Sequence, residues 1–138
     1  MEQQTNAASL GYVILYVEDV AGSLAFYERA FGLSRRFRQD EHGKAYGELE
    51  TGAARLAFAS LPLVEAHLKG GVTVAAADKP PLGFEIALVT AVVKGLYDRA
   101  VKSGAASVSA PEVKPWGQTV AYVRDKDGFL VELCTPMP

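Results

Sequence analysis

The sequence predicts an α+β fold made of two tandem βαβββ modules in a single 138-residue domain. Two observations carry this prediction: the order strand, helix and three strands occurs twice, and a stretch broken by paired glycines and paired prolines separates the two occurrences. We place module one at about 10–59, the connector at 60–82 and module two at about 83–136. Such a repeat favours two similar halves that cover each other, because a small sheet alone leaves one face open.

The first module begins with an apolar segment, residues 12–17, that is rich in β-branched and aromatic side chains. This composition predicts a strand covered on both faces. Asp19 is suited to cap the following helix, Gly32 is suited to end it, and apolar residues between them recur with helical spacing, which predicts a helix over about 20–31. Three further strands are predicted at about 33–39, 45–50 and 55–59.

The second half repeats this order after a short predicted helix in the connector, at 62–69. A strand is predicted at 84–89, where Glu85 is the one charged residue. A helix that Gly104 ends should follow it. Its predicted apolar stripe is Val92, Leu96, Ala100 and Val101. The last three strands are predicted at about 107–113, 118–123 and 129–134.

Composition excludes several classes of function. Fourteen Lys and Arg residues against sixteen Asp and Glu residues give a formal charge of -2, so we expect no nucleic-acid partner. The one cysteine, Cys134, excludes an intrachain disulfide and is expected to be a buried, inert thiol. The N-terminal segment lacks the pattern of a secretory signal, and no apolar run approaches the roughly 20 residues that span a bilayer. We therefore expect a cytoplasmic protein with no membrane partner.

Two segments resemble a known family: GYVILYVEDVAGSLAFYERAFGL near the start and PWGQTVAYVRDKDGFLVEL near the end. They look like the vicinal oxygen chelate superfamily, which includes glyoxalase I, extradiol dioxygenases, fosfomycin-resistance enzymes and bleomycin-resistance proteins. The resemblance extends from Leu10 to Pro136 and is strongest to the glyoxalase and bleomycin-resistance branch. It implies a cup-shaped, incomplete barrel with a site on its concave face, and a homodimer that completes or covers the cup.

Enzymes of this superfamily hold a divalent metal with His and Glu side chains from the first and last strands of each module. The resemblance places Tyr12 and Ala57 at these positions in module one, and Glu132 on the last strand of module two. The fourth position falls on Phe84 or Glu85, and we favour Glu85 because a charge in an apolar strand needs a reason. The implied metal ligands are thus Glu85 and Glu132, for one Mn, Fe, Ni or Zn ion, and Glu132 is the candidate catalytic residue.

The two carboxylates also suggest roles that require no metal. If Glu85 and Glu132 both face the cup, each raises the pKa of the other, and one could act as a general base or hold a cationic ligand. Neither histidine is expected to help, because His42 lies in a predicted hairpin turn and His67 in the connector. A one-residue error in strand register would turn Glu85 to the other face.

Aromatic side chains predict walls for a binding cup. Tyr12 and Tyr16 share one face of the first strand by alternation, and Trp116, the only tryptophan, precedes Gly117 near the start of a strand. The candidate ligand-binding residues are Tyr12, Tyr16, Phe58, Trp116 and Tyr122. Such walls beside two acidic groups suit a flat or amphipathic cationic molecule, stacked on Trp116 and oriented by Glu132. For Tyr16 and Phe58 the alternative is plain core packing.

The sequence leaves two functions open. The first is a protein that binds a small aromatic or amphipathic molecule, for sequestration or resistance. The second is a divalent-metal-dependent lyase or dioxygenase that uses Glu85 and Glu132, so enzymatic activity is undecided.

Two further segments are expected to be structural. Arg35, Arg36 and Arg38 around Phe37 predict a solvated sheet edge rather than an anion site, and the segment from Asp125 to Gly128 predicts a hairpin turn.

Overall fold

The computed structural model describes residues 6–138, which form two four-stranded sheets and three helices. The first module comprises β1 (Tyr12–Val17), α1 (Val20–Phe31), β2 (Ser34–Glu41), β3 (Lys44–Glu50) and β4 (Arg55–Ser60). The connector contains α2 (Leu61–His67). The second module comprises β5 (Ile86–Val89), α3 (Val93–Lys102), β6 (Ala106–Val113), β7 (Thr119–Arg124) and β8 (Leu130–Cys134). The predicted α+β fold of two βαβββ modules is confirmed. Residues 1–5, part of the N-terminal segment considered above for a secretory signal, lie outside the described residues.

Both sheets have the same topology, with strand orders β1-β4-β3-β2 and β5-β8-β7-β6. The pairs β1/β4 and β5/β8 are parallel, and the other neighbours are antiparallel. In the first sheet Glu48 of β3 lies opposite Ala57 of β4. In the second sheet Tyr122 of β7 lies opposite Glu132 of β8. These cross-strand pairs place Glu48 at the position of Tyr122 and Ala57 at that of Glu132.

Helix α1 begins and ends at the predicted residues. The Asp19 carboxylate accepts a hydrogen bond from the Gly22 N–H at 3.0 Å, which satisfies a free donor of the first turn. Gly32 adopts φ 70°, and its N–H donates to the Glu28 carbonyl at 3.1 Å. The predicted stripe is buried, and it consists of Val20, Leu24, Tyr27 and Phe31.

The buried side chains of both modules form one core. Leu15 and Phe58 of the first sheet belong to the same apolar cluster as Val123 and Leu133 of the second. The side of each sheet that faces the helices is covered in this way, and α1 packs against α3. We call the opposite side of each sheet its outer face. The two outer faces are directed away from the shared core.

Strand β1 is covered on one face only in the single chain. Val13, Leu15 and Val17 face the core, whereas Tyr12 is 58% exposed and Ile14 is 40% exposed on the outer face. The expectation of a strand covered on both faces is therefore wrong for the isolated chain. Its composition reflects apolar side chains on an outer face that no part of this chain fully covers.

Helix α3 differs from the prediction by a small rotation of its apolar stripe. Val92 lies at the N-cap and is 67% exposed, because the first helical residue is Val93. Val93 and Ala100 are buried, and Leu96 packs against the core between them. Val101, which was assigned to the stripe, is exposed. The spacing identified the helix correctly but placed the stripe on partly exposed residues.

A buried hydrogen bond joins α1 to the turn between β7 and β8. The Tyr27 hydroxyl donates to the Asp125 carboxylate at 2.6 Å, and the other carboxylate oxygen accepts from the N–H groups of Asp127 and Phe129, each at 2.9 Å. The Ser23 hydroxyl donates to the Asp127 carboxylate at 2.7 Å. Burial raises the pKa of Asp125 despite these hydrogen bonds. The predicted hairpin turn is thus also the point where the two modules are fastened together.

We expect Tyr27→Phe to lower the free energy of unfolding by about 1–3 kcal/mol, because it leaves a buried oxygen of Asp125 without its donor. Urea denaturation followed by circular dichroism measures this change. The matched control is Tyr97→Phe, which removes a more exposed hydrogen bond to Ser107 and should cost less than about 0.5 kcal/mol. Equal effects of the two variants would show that the Tyr27 bond does not stabilise the junction.

Candidate functional site

The outer face of the second sheet carries a pair of carboxyl groups. Alternation along β8 directs Val131 and Leu133 into the core and Glu132 outward. Glu85 immediately precedes β5, the strand beside β8, and its carboxyl group donates a hydrogen bond to Glu132. The Tyr122 hydroxyl, on the strand at the other side of β8, donates to Glu132 Oε1 at 2.9 Å. Side chains from both sides of β8 therefore converge on the Glu132 carboxylate.

The electrostatics of this pair place one proton on Glu85. Its hydrogen bond to Glu132, then burial and the nearby negative charge, raise the pKa of Glu85 from 4.5 to about 7. Burial opposes ionisation of Glu132, but hydrogen bonds from Glu85, Cys134 and Tyr122 outweigh it and lower the pKa of Glu132. Burial and the same carboxylate raise the pKa of Tyr122 to about 12. At neutral pH Glu85 is therefore close to its point of titration, while Glu132 is ionised.

Phe84, the residue before Glu85, has an environment that differs from that of the carboxyl pair. The Phe84 ring packs against Phe129, with ring centroids 6.0 Å apart. Of the two residues that the resemblance offered for the fourth ligand position, Glu85 is therefore the one beside Glu132.

The donor set of one chain does not fit the divalent metal site that the resemblance implies. Within residues 6–138, no three His, Cys, Asp or Glu side chains lie close enough together to hold an ion. Burial, together with a hydrogen bond to Glu132, raises the pKa of the nearby Cys134 thiol to about 11, which disfavours the thiolate that a metal needs. Tyr12 and Ala57, at the ligand positions of module one, lie on the other sheet. We therefore derive no reaction step through a metal.

The candidate aromatic residues are divided between different parts of the molecule. Tyr12 and Tyr16 lie on the outer face of the first sheet, and Tyr122 lies on that of the second. Phe58 is fully buried on the helix-facing side and packs against Tyr27, with ring centroids 5.1 Å apart. Its assignment to the ligand walls is therefore corrected: strand alternation directs Phe58 into the core.

Trp116 lies in the turn between β6 and β7 rather than within a strand, and it is 54% exposed. Its indole N–H donates to Gln118 at 2.7 Å, and the Gln118 amide donates to the Thr135 carbonyl at 2.8 Å. These bonds hold the ring at the end of the second sheet, just past β8, where its apolar surface is accessible.

The connector helix α2 covers part of the outer face of the first sheet. A cavity of about 170 Å³ lies beneath it. The lining residues are Ile14, Tyr16, Tyr46, Ala59, Leu63, Val64, His67 and Leu68. His67, which was expected only to lie in the connector, thus belongs to the outer face of the first sheet. The sequence contained one signal for this packing of the connector on the sheet. Leu63, Val64 and Leu68 are apolar, and such side chains need a surface to pack on.

A second carboxylate on an outer face was also missed. Glu48 in β3 is only 6% exposed, and its carboxylate accepts a hydrogen bond from the Tyr46 hydroxyl at 2.8 Å. Burial and this bond raise the pKa of Tyr46. Glu48 and Glu50 alternate with Gly47 and Leu49 on a strand, so the sequence looked like an ordinary solvated face. Only the cross-strand neighbours distinguish a buried acid from an exposed one.

Comparisons with known proteins agree with this geometry. The model of the Glyoxalase/Bleomycin resistance protein/Dioxygenase superfamily matches residues 9–133, and the chain therefore belongs to this superfamily. No match was found among curated proteins. The described residues include no helix that is both long and apolar enough to cross a membrane.

Solved structures share the fold at low sequence identity. A glyoxalase-related enzyme from Fulvimarina pelagi has a TM-score of 0.76 at 22% identity, with 94% of this chain and 89% of that chain covered. TioX from Micromonospora sp. ML1 has a TM-score of 0.68 at 23% identity, with 93% and 98% covered. A glyoxalase/bleomycin resistance protein/dioxygenase family enzyme from Burkholderia phytofirmans PsJN has a TM-score of 0.72 at 20% identity, with 93% and 98% covered. These similarities establish the fold.

We expect stability to report the shared proton. Above pH 4.5 the unfolded chain releases the Glu85 proton, whereas the folded chain holds it until about pH 7. The contribution of the Glu85 proton to the free energy of unfolding is therefore complete below pH 4.5, and it is lost as the pH rises through about 7. Glu132, whose pKa is lowered, has the opposite sign and loses its contribution only on acidification below 4.5.

The measurement is the urea midpoint at about pH 5.5 and about pH 8.5, with the expected decrease between them. In Glu132→Gln, the decrease in the urea midpoint between these two pH values should be smaller by the part that the carboxyl pair contributes. Glu28→Gln, which removes an ion pair with Arg35 in the other module, should leave the pH dependence as it was. A pH dependence that survives Glu132→Gln would contradict the shared proton.

Proposed function

We propose that this protein binds a small aromatic or amphipathic molecule that carries a cationic group, and that the Glu85 and Glu132 carboxyl groups hold the cation. The observation that carries the proposal is their hydrogen-bonded contact on an outer face, with Tyr122 bonded to the same carboxylate. A ligand ammonium can take the place of the shared proton, which relieves repulsion between two ionised carboxylates. Sequestration of such a molecule requires no metal and no chemical step.

The proposed role of Tyr122 is to orient the anchor. Its hydroxyl fixes one oxygen of Glu132, so the other oxygen and the Glu85 carboxyl group remain for the ligand. Trp116, at the end of the same sheet, offers an accessible aromatic surface for a flat apolar group. These two residues account for a ligand with both a cationic and an aromatic part.

We further propose that two copies of the chain complete the cup as a homodimer and that the two modules of each copy act as one domain. The single apolar core supports the domain. Exposed apolar side chains support the dimer, because Tyr12 and Ile14 on the first sheet and Val89 on the second are 58%, 40% and 63% exposed. Packing the first sheet of one copy against the second sheet of its partner would bring Tyr12 and Tyr16 towards the carboxyl pair. A cytoplasmic location fits the unpaired cysteine.

Binding of 2-phenylethylamine, a small aromatic cation, tests the proposed anchor. We expect Glu132→Gln to raise its Kd at least about tenfold through loss of a charge-assisted contact. Affinity should also rise as the pH increases through about 7, where Glu85 ionises. Glu65→Gln, on the exposed side of α2, is the matched control and should leave the Kd unchanged.

Isothermal titration calorimetry and Trp116 fluorescence report the binding. The neutral analogue 2-phenylethanol should bind more weakly, and a Kd equal to that of the amine would contradict a cation site. The same protein is titrated with Mn²⁺, Fe²⁺, Ni²⁺ and Zn²⁺. Uptake of one ion per chain that Glu132→Gln abolishes would instead support the metal-dependent lyase or dioxygenase.

The dimer has its own test. We expect Ile14→Asp and Val89→Asp to convert a dimer to a monomer, because each introduces a charge on an outer face that the partner covers. Multi-angle light scattering gives the mass. Val74→Asp, at a similarly exposed valine of the connector, is the control and should remain dimeric. A native protein that is monomeric at all accessible concentrations would overturn the completed cup.

A further inference from the structure

The first sheet carries a second, differently charged depression at the end of its outer face away from α2. Its cavity volume is about 360 Å³, within the range of small-ligand pockets. Tyr12 of β1, Arg55 of β4, Glu48 of β3, and Arg36 and Phe37 of β2 line it. All four strands of the sheet therefore contribute to this depression.

A β-bulge directs one arginine onto this face. The register of β2 against β3 shifts between Arg35 and Phe37, so that Arg36 is the extra residue. Its guanidinium lies 3.8 Å from the Glu48 carboxylate and 3.7 Å from Glu50. The predicted solvated sheet edge is confirmed, since β2 is an edge strand whose residues are all exposed. The bulge adds what simple alternation does not predict, a position of Arg36 beside these two carboxylates.

The two guanidinium groups of this depression have unused hydrogen-bonding capacity. Within the described residues the guanidinium of Arg36 donates no hydrogen bond, since both of its ion pairs are longer than 3.5 Å. Arg55 donates to the Gly52 carbonyl at 2.8 Å and to Glu50 at 3.2 Å, which leaves further N–H groups free. One carboxylate oxygen of Glu50 is the group that both arginines approach.

Glu50 therefore occupies the position that an incoming anion would take. Its side chain is 52% exposed, so it can move into water when a ligand carboxylate replaces it. Glu48, in contrast, is buried and bonded to Tyr46, and it stays as the fixed counter-charge of Arg36. One exchangeable and one fixed carboxylate beside two arginines define a site for a single negative charge.

The rings on either side define the rest of the ligand. Tyr12 is 58% exposed and Phe37 is 38% exposed, and both line the same depression as the arginines. The Arg36 guanidinium lies over the Phe37 ring at 6.0 Å, which holds the charge beside an aromatic surface. A planar ring can pack on these faces while its carboxylate reaches the guanidinium groups.

We propose that Arg36 and Arg55, with Tyr12 and Phe37, form a binding site for a small aromatic carboxylate on the first sheet. Within one chain this site lies on the other sheet from the carboxyl pair, and it prefers a ligand group of the opposite charge.

The test uses benzoate at pH 7, followed by ¹⁵N–¹H NMR shifts and calorimetry on the full chain. Arg36→Gln should weaken benzoate binding at least about tenfold, as expected for loss of a bidentate contact. Arg38→Gln, on the same strand but paired with Asp40, is the matched control and should bind as the native protein does. Shifts should localise to Gly11 and Ala53, which also line the depression.

Glu50→Gln gives an outcome of the opposite sign. It removes the competing carboxylate, so benzoate should bind about threefold or more tightly. This variant also keeps the test decisive if Arg36→Gln fails to fold after losing the partner of Glu48. Weaker or unchanged binding in Glu50→Gln would overturn the proposal.

Two other ligands complete the test. Benzamide, which has the ring without the charge, and acetate, which has the charge without the ring, should each bind much more weakly than benzoate. Equal binding of either one overturns the proposed site. Arg36→Gln should leave 2-phenylethylamine binding unchanged, and Glu132→Gln should leave benzoate binding unchanged, so failure of either proposal is recognised separately.

Discussion

The shared core is the constraint on which the rest of the structure depends. Because the helix-facing sides of both sheets enter one apolar cluster, the outer faces are left as the surfaces available for ligands or partners. The buried bond from Tyr27 to Asp125 fastens this arrangement at one end, where an ordinary hairpin turn becomes an anchor for α1. For the candidate residues within strands, the side of the strand that this core occupies decides whether the side chain is buried or lies on an outer face.

Much of the fold was predictable from local patterns. The first strand and α1 have the predicted bounds, since apolar spacing, an Asp N-cap and a Gly C-terminus all indicated the same helix. The α3 stripe was displaced because several valines and alanines fit more than one helical face. The exposure of the outer face of β1 was not predictable from the sequence. A strand with apolar residues on both faces has the same pattern whether its second face is covered by the same chain or by another molecule.

The candidate site was only half predictable. The resemblance pointed to Glu132, and a lone charge in an apolar strand pointed to Glu85, and the structure brings these two together. Glu48 and Arg36 depend on cross-strand partners and on a bulge, which no pattern along a single strand contains. Phe58 is the opposite case. Its aromatic side chain suggested a wall of the binding cup, but strand alternation directs it into the core.

The cover that α2 forms exists on one sheet only and makes the repeat unequal. At the first sheet, one end of the outer face is roofed by a helix that follows β4 directly, while the end near Tyr12 and Arg55 is unroofed. The open end is lined by charged and aromatic side chains, whereas the cavity under the helix is lined mainly by apolar ones. One outer face thus offers two different surfaces, although the strand order of the two sheets is the same.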